Sequence, residues 1–98
     1  MEYEIVYAPR AKIEIFEVLS FYFERSPKVA SDFNPELKYI DTALTINPFY
    51  EIKYKNVRAI PLNTFPYSFF FTVNETSKIV EVLSCFHQKQ NPIKLPKP

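Results

Sequence analysis

Glycine is absent from all 98 residues. That excludes every glycine-rich phosphate loop, of the P-loop and the dinucleotide-binding type alike, because both need backbone without a Cβ where it meets the phosphate. It also predicts that turns requiring a positive φ fall to Asn, the next most tolerant residue. The lone Cys85 excludes an internal disulfide, and nothing points to an oxidising compartment. Cys85 and the only histidine, His87, make no ligand set, so neither a metal nor a cofactor is expected. Charge of one sign is lacking too: the net formal charge is +1, which gives no overall field toward nucleic acid or membrane. Met1 to Arg10 has no signal-peptide core, and no apolar run nears the roughly 18 residues needed to span a bilayer. The chain reads as soluble and cytoplasmic.

Apolar and aromatic residues are plentiful: 47% hydrophobic, with 10 Phe and 7 Tyr. A chain of this size buries roughly 60–65% of its unfolded surface, enough for one small core. Large aromatics suit a thin, two-layer domain. Residues 1–98 are therefore expected to form a single domain, with 91–98 a Pro-rich extended tail.

Alternation through Tyr3, Ile5 and Tyr7 predicts a first strand. Pro9 suits the first turn of a helix reaching Arg25. On that helix Ile15, Phe16, Val18, Leu19, Tyr22 and Phe23 gather in one arc, with Glu14, Glu17, Ser20 and Glu24 opposite. Ile13 and Phe21 fall in the polar arc, either as scattered surface residues or as contacts for something outside the domain. Ser26-Pro27 is an N-cap with proline at the first helical position. Val29, Phe33, Leu37, Ile40 and Leu44 then form one stripe. Because the stripe keeps phase across Pro35, one continuous helix bent there is expected, although Asn34-Pro35-Glu36 could instead open a fresh helix. Asn47-Pro48 stops it.

Strands follow: Tyr50 to Tyr54, then a Lys55-Asn56 turn with Asn replacing the usual Gly. Val57 to Leu62 comes next, Pro61 suggesting an edge or bulge. Tyr67 to Val73 and Ile79 to Phe86 flank a hairpin loop at Asn74 to Ser77. The expected fold is α+β: an N-terminal strand and a helical hairpin packed on one face of a mainly antiparallel sheet of four to five strands. Phe69, Phe70 and Phe71 make both faces of the later strands apolar, a surface that would have to be covered by a partner.

That order resembles the RelE/ParE superfamily of toxins. Ala11, the run Phe21-Tyr22-Phe23, and Phe33 with Leu37 and Leu44 fit its helical hairpin. Asn47-Pro48 falls where its second helix ends. Val57-Arg58, Phe65-Pro66-Tyr67, the run Val82 to His87 and Pro92 beyond look like strand motifs of the ParE-like branch. Each motif is weak alone; their shared order and spacing along nearly the whole chain is more specific. The resemblance implies a growth-inhibiting toxin of a type II toxin–antitoxin system, of the kind used in plasmid stabilization, neutralised by a cognate antitoxin that folds on binding. ParE-like members poison DNA gyrase without being enzymes, and RelE-like members cut messenger RNA on the ribosome. A degenerate member that only binds its antitoxin is a third class.

Cutting RNA through its 2′-OH needs a base, an acid and a cation near the phosphate. If the chain is a nuclease, Arg58, His87 and Tyr67 are the catalytic residues to expect, with Lys53, Lys55, Lys89 and Glu51 as further candidates. Histidine changes charge near neutral pH and suits either proton role; arginine can hold a phosphate bidentately. The plainer readings are a hydrogen-bonded strand end for His87, an ion pair with Glu51 or Glu81 for Arg58, and packing for Tyr67. The near-neutral charge, and Gln88 to Asn91 where many nuclease-branch members carry an aromatic, favour the ParE-like reading. Cys85, mid-strand, is expected to be a buried, inert thiol.

Overall fold

The computed structural model describes residues 2–89, so the proline-rich tail expected at 91–98 lies outside the described residues. The chain runs β1 (Glu4–Tyr7), α1 (Pro9–Arg25), α2 (Pro27–Ser31), α3 (Phe33–Ile46), β2 (Ile52–Tyr54), β3 (Val57–Pro61), β4 (Tyr67–Asn74) and β5 (Ile79–His87). The strands form one sheet in the order β1-β5-β4-β3-β2. β2, β3, β4 and β5 follow one another antiparallel, and β1 joins the far edge parallel to β5. The α+β architecture read from the sequence is therefore the one observed. Among the described residues no helix is long and apolar enough to cross a membrane.

The core lies between the helices and one sheet face. Ala11 and Val18 of α1 and Phe33, Ile40 and Leu44 of α3 meet Ile60, Phe69, Phe71, Val80 and Val82. Each large side chain buried here contributes about 1.5–3 kcal/mol. On the other face Phe70 meets Tyr54 at 6.4 Å and Phe86 at 6.0 Å between ring centroids. Phe69 and Phe71 are fully buried and Phe86 nearly so. The apolar surface expected on the later strands is thus largely internal. Two of the most exposed aromatics are on α1 instead: Phe16 is 70% and Phe23 63% exposed, against the expectation that both face the core. The inward face of α1 is narrower than the arc drawn from the sequence and includes Glu14.

The single bent helix expected across Pro35 is two helices. The proline ring collides with the carbonyl four residues back, which belongs to Ser31, the last residue of α2. α2 closes there, the Asp32 N–H bonding the Val29 carbonyl at 3.0 Å. α3 restarts at Phe33 and places Pro35 in its first turn, where N–H groups lack intrahelical acceptors anyway. Val29, in α2, is 38% exposed and drops out of the buried stripe.

Positive φ falls on lysines, not on asparagines: Lys55 has φ 47° and Lys78 φ 59°. Asn74 is used differently, its Oδ1 accepting the Thr76 and Ser77 N–H groups at 3.0 Å. The Lys78 ammonium lies 5.1 Å from the Tyr3 ring centroid, a contact that its left-handed backbone accompanies.

Candidate functional site

The β4–β5 register places Tyr67 opposite His87. Their rings meet edge to face, with centroids 5.0 Å apart. The Gln88 N–H bonds the Pro66 carbonyl at 2.9 Å, fixing the strand end beside the Phe65-Pro66 turn. The Lys89 N–H donates to His87 Nδ1 at 3.0 Å, so a neutral ring carries its proton on Nε2. Around the pair opens a cavity of about 480 Å³, lined also by Glu14, Glu17, Val18, Cys85 and Lys89.

Glu14 organises its inner wall. β5 carries an extra residue, Leu83, between Val82 (opposite Phe71) and Ser84 (opposite Phe70). A bulge interrupts the ladder, and Glu14 supplies what the ladder does not. Its Oε1 accepts from Ser84 Oγ at 2.6 Å and from the Cys85 N–H at 3.1 Å. Its Oε2 pairs with Arg10 at 3.2 Å. Burial, reinforced by the Glu14 charge, pushes the Cys85 thiol up to about 12, so it stays protonated and unreactive at neutral pH. Burial likewise raises Tyr67, with Tyr22 and Cys85 adding to it.

Arg58 stands apart. It pairs with Phe71, four residues along β4 from Tyr67, which is roughly 13 Å at strand spacing. Its Nη1 donates to the Tyr50 carbonyl at 2.7 Å, and its guanidinium lies 5.2 Å from the Phe49 ring centroid. Neither carboxylate expected as its partner is so placed: Glu51 pairs with Lys53 at 2.8 Å, and that hydrogen bond holds its carboxyl below the usual range. The structure thus brings Tyr67, His87 and Lys89 together and leaves Arg58 on a different part of the sheet.

A second, apolar depression of about 490 Å³ runs along the outside of α1, lined by Phe16, Leu19, Phe23, Pro27 and Ala30 among others. Tyr7, Leu37 and Asp41 border its continuation past Phe16 and Leu19.

Comparison with solved structures bears on this arrangement. A structure of the chromosomal ParDE toxin–antitoxin system of P. aeruginosa superposes with a TM-score of 0.71 at 17% identity, covering 87% of this chain and 95% of that one. The chain has the RelE/ParE toxin fold. A mutant E. coli RelE toxin bound to a peptide of its antitoxin matches with a TM-score of 0.57 at 17% identity, over 92% of this chain and 87% of that one. The intact E. coli RelBE toxin–antitoxin complex matches at 0.51 and 16% identity, over 90% and 99%. No known sequence family matches the chain, and no curated protein matches it by sequence. At such identities it is the toxin fold that is shared, while side chains carry whatever distinguishes one member from another.

Glu14 and Glu36 escaped the reading of the sequence as residues of any consequence. Glu36 is only 8% exposed and accepts the Asn63 and Thr64 N–H groups at 2.5 and 3.0 Å. The available signal was spacing: Ala11, Glu14 and Val18, like Phe33, Glu36 and Ile40, fall on one helical line.

Proposed function

We propose that this chain is the toxin half of a type II toxin–antitoxin system, acting in the cytoplasm as a ParE-like, non-enzymatic inhibitor of DNA gyrase. A cognate antitoxin neutralises it, a segment of that protein folding into the apolar depression beside Phe16 and Phe23. The shared fold supports the toxin class. The observation that carries the choice of target is the separation of Arg58 from the Tyr67–His87 pair. Phosphoryl chemistry needs the cation, the base and the acid around one phosphate. Here the guanidinium is held by a backbone carbonyl and an aromatic ring, and the cavity at His87 sets two carboxylates, Glu14 and Glu17, against the one ammonium of Lys89, a balance that disfavours a phosphate.

The alternative is a ribosome-dependent endoribonuclease with His87, Tyr67 and Arg58 as its catalytic residues. It draws on Tyr67, His87 and Lys89 sharing one cavity. His87→Ala separates the two readings, assayed at matched soluble levels with growth arrest, DNA breaks and message cleavage scored separately. Unchanged growth arrest with accumulating DNA breaks is the expected result. A nuclease would lose about 10²–10⁴ in rate with its general acid or base, and arrest and message cleavage would vanish together. Wild type without any toxicity would leave a protein that binds its antitoxin alone.

A further inference from the structure

Phe86 is buried on the face of the sheet turned away from the helices. Val57, Ala59 and Phe86 stand outside the core cluster that the helices close, yet they are 0%, 7% and 4% exposed. Register gives the face they share: Ala59 pairs with Phe70, Ser68 pairs with Phe86, and Val57 lies two residues along β3 from Ala59. Sheet neighbours do not account for the burial of Phe86. β1 pairs with β5 only as far as Tyr7 opposite Val82, so among the described residues Phe86 has a strand on one side alone. Opposite it there is Ser68, too small to cover a ring, and its ring contact is with Phe70, 6.0 Å away between centroids. Phe16, on an uncovered helix face, is 70% exposed. Something further covers Phe86.

The chain itself supplies a candidate. β5 ends at His87, one residue past Phe86, and residues 91–98 follow as Asn-Pro-Ile-Lys-Leu-Pro-Lys-Pro. Pro92, Pro96 and Pro98 leave few N–H groups for a ladder, so this segment meets a sheet chiefly through its side chains. Between the prolines Ile93 and Leu95 flank Lys94, and extended backbone sends alternate side chains to opposite sides. One side is apolar and the other carries the charge. The reach is sufficient. At about 3.1 Å per residue, Leu95 lies up to about 19 Å of chain beyond Lys89, whereas β3 is two strand spacings, roughly 10 Å, from β5. We infer that residues 91–98 bind as an apolar strap across the outer sheet face, with Ile93 and Leu95 seated on Phe86, Phe70 and Ala59 and Lys94 turned to water. The face is a docking site for an extended, proline-flanked apolar peptide, and its occupant is this chain's own tail. This holds whether or not the chain is a toxin.

The chain has no tryptophan, so an indole placed in the tail reports its own surroundings. In the full chain, Leu95→Trp is expected to give blue-shifted emission shielded from acrylamide, and Lys94→Trp a water-like emission. Ser68→Asp sets a charge on the docking face. Added to Leu95→Trp, it should make the emission water-like and raise quenching several-fold, with the circular dichroism unchanged. Ile93→Ser combined with Leu95→Ser should lower the urea midpoint and expose a dye-binding apolar patch, and Lys94→Ser should do neither. Water-like emission from Leu95→Trp in the otherwise unaltered chain overturns the inference; if that variant does not fold, Ile93→Trp decides in its place. Equal shielding at positions 94 and 95 overturns it too. So does shielding lost on Phe16→Asp and kept on Ser68→Asp, which would seat the tail in the α1 depression. Shielding that grows with protein concentration would place the tail on a second copy, and equally overturns it.

Discussion

Glu14 and Glu36 do the same work on two helices. Each sits on a buried helical line, where an apolar residue would be the ordinary choice, and each turns its carboxylate onto backbone N–H groups that no strand ladder pairs. For Glu14 this is the Cys85 N–H at the β5 bulge; for Glu36 it is the loop after β3. An unmet buried donor costs about 1–3 kcal/mol. Glu36→Ala, which strands two N–H groups at once, is expected to destabilise by about 1–3 kcal/mol in urea melts, because Asn63 and Thr64 are exposed and water takes over part of the lost bonding. Glu36→Gln keeps an acceptor oxygen and should retain most of that stability. Equal losses in both variants would show that the negative charge, and not the acceptor, matters. Neither carboxylate was legible in the sequence as an anchor, because what each satisfies is a tertiary irregularity. The arc drawn from the sequence put Glu14 on the polar side of α1; its place in line with Ala11 and Val18 turns it inward, and only the Leu83 bulge says why. Tyr67 and His87 were legible as candidates from residue type, and the strand register brings them together. The position of Arg58 was not legible, since it depends on which residue of β4 it faces and on a carbonyl from the segment before β2.

The helices and strands were largely written in local pattern: alternation in β1, Pro9 opening α1, Ser26 capping α2 and Asn47 closing α3. The Ser26 side chain accepts the Val29 N–H at 3.3 Å, as its position before Pro27 implies. The break at Asp32 was less legible because a stripe in phase hides a one-residue interruption. Proline acts four residues upstream of itself, so its effect appears at Ser31 and not at Pro35. The turns were the least legible elements. With no glycine in the chain, the choice of Lys55 over Asn56 for the left-handed position follows from how β2 and β3 pair, not from intrinsic preference. That choice leaves strain at an exposed hairpin. Left-handed backbone costs a non-glycine residue about 1–2 kcal/mol, and glycine's greater freedom when unfolded offsets part of the relief. Lys55→Gly is expected to raise stability by up to about 1 kcal/mol in thermal melts. Lys78→Gly should gain less, because it gives up the contact with Tyr3. Lower stability for Lys55→Gly would mean that the lysine side chain contributes more than its backbone loses.

At the scale of the molecule, β1 and α3 are joined by a hydroxyl, and the sheet meets α1 around a thiol. The Tyr7 hydroxyl donates to Asp41 at 2.5 Å, linking the first strand to α3. Burial, then the Asp41 hydrogen bond and charge, raise the Tyr7 phenol well above its ordinary value of 10.0. Cys85 rises from 9.0 to about 12 through burial and Glu14. Both groups hold their protons more tightly folded than unfolded. Between the unfolded and folded values the unfolded chain has lost protons that the folded chain retains, so raising the pH favours unfolding. The stability they contribute is complete below about pH 9 and is lost progressively as pH climbs toward 12, the thiol first. The melting temperature is accordingly expected to hold steady from pH 7 to 8.5 and to fall steeply above pH 9.5. Two variants divide the slope. Tyr7→Phe lowers stability at neutral pH by removing the bond to Asp41 and flattens the decline above pH 10; Cys85→Ala flattens it between pH 9 and 10. Thermal unfolding across that range, with each variant referenced to its own value at pH 7, measures both. If neither substitution changes the slope, alkaline loss of stability comes from the other raised phenols, Tyr50, Tyr54 and Tyr67, and the contacts of Tyr7 and Cys85 are not where this fold gives way.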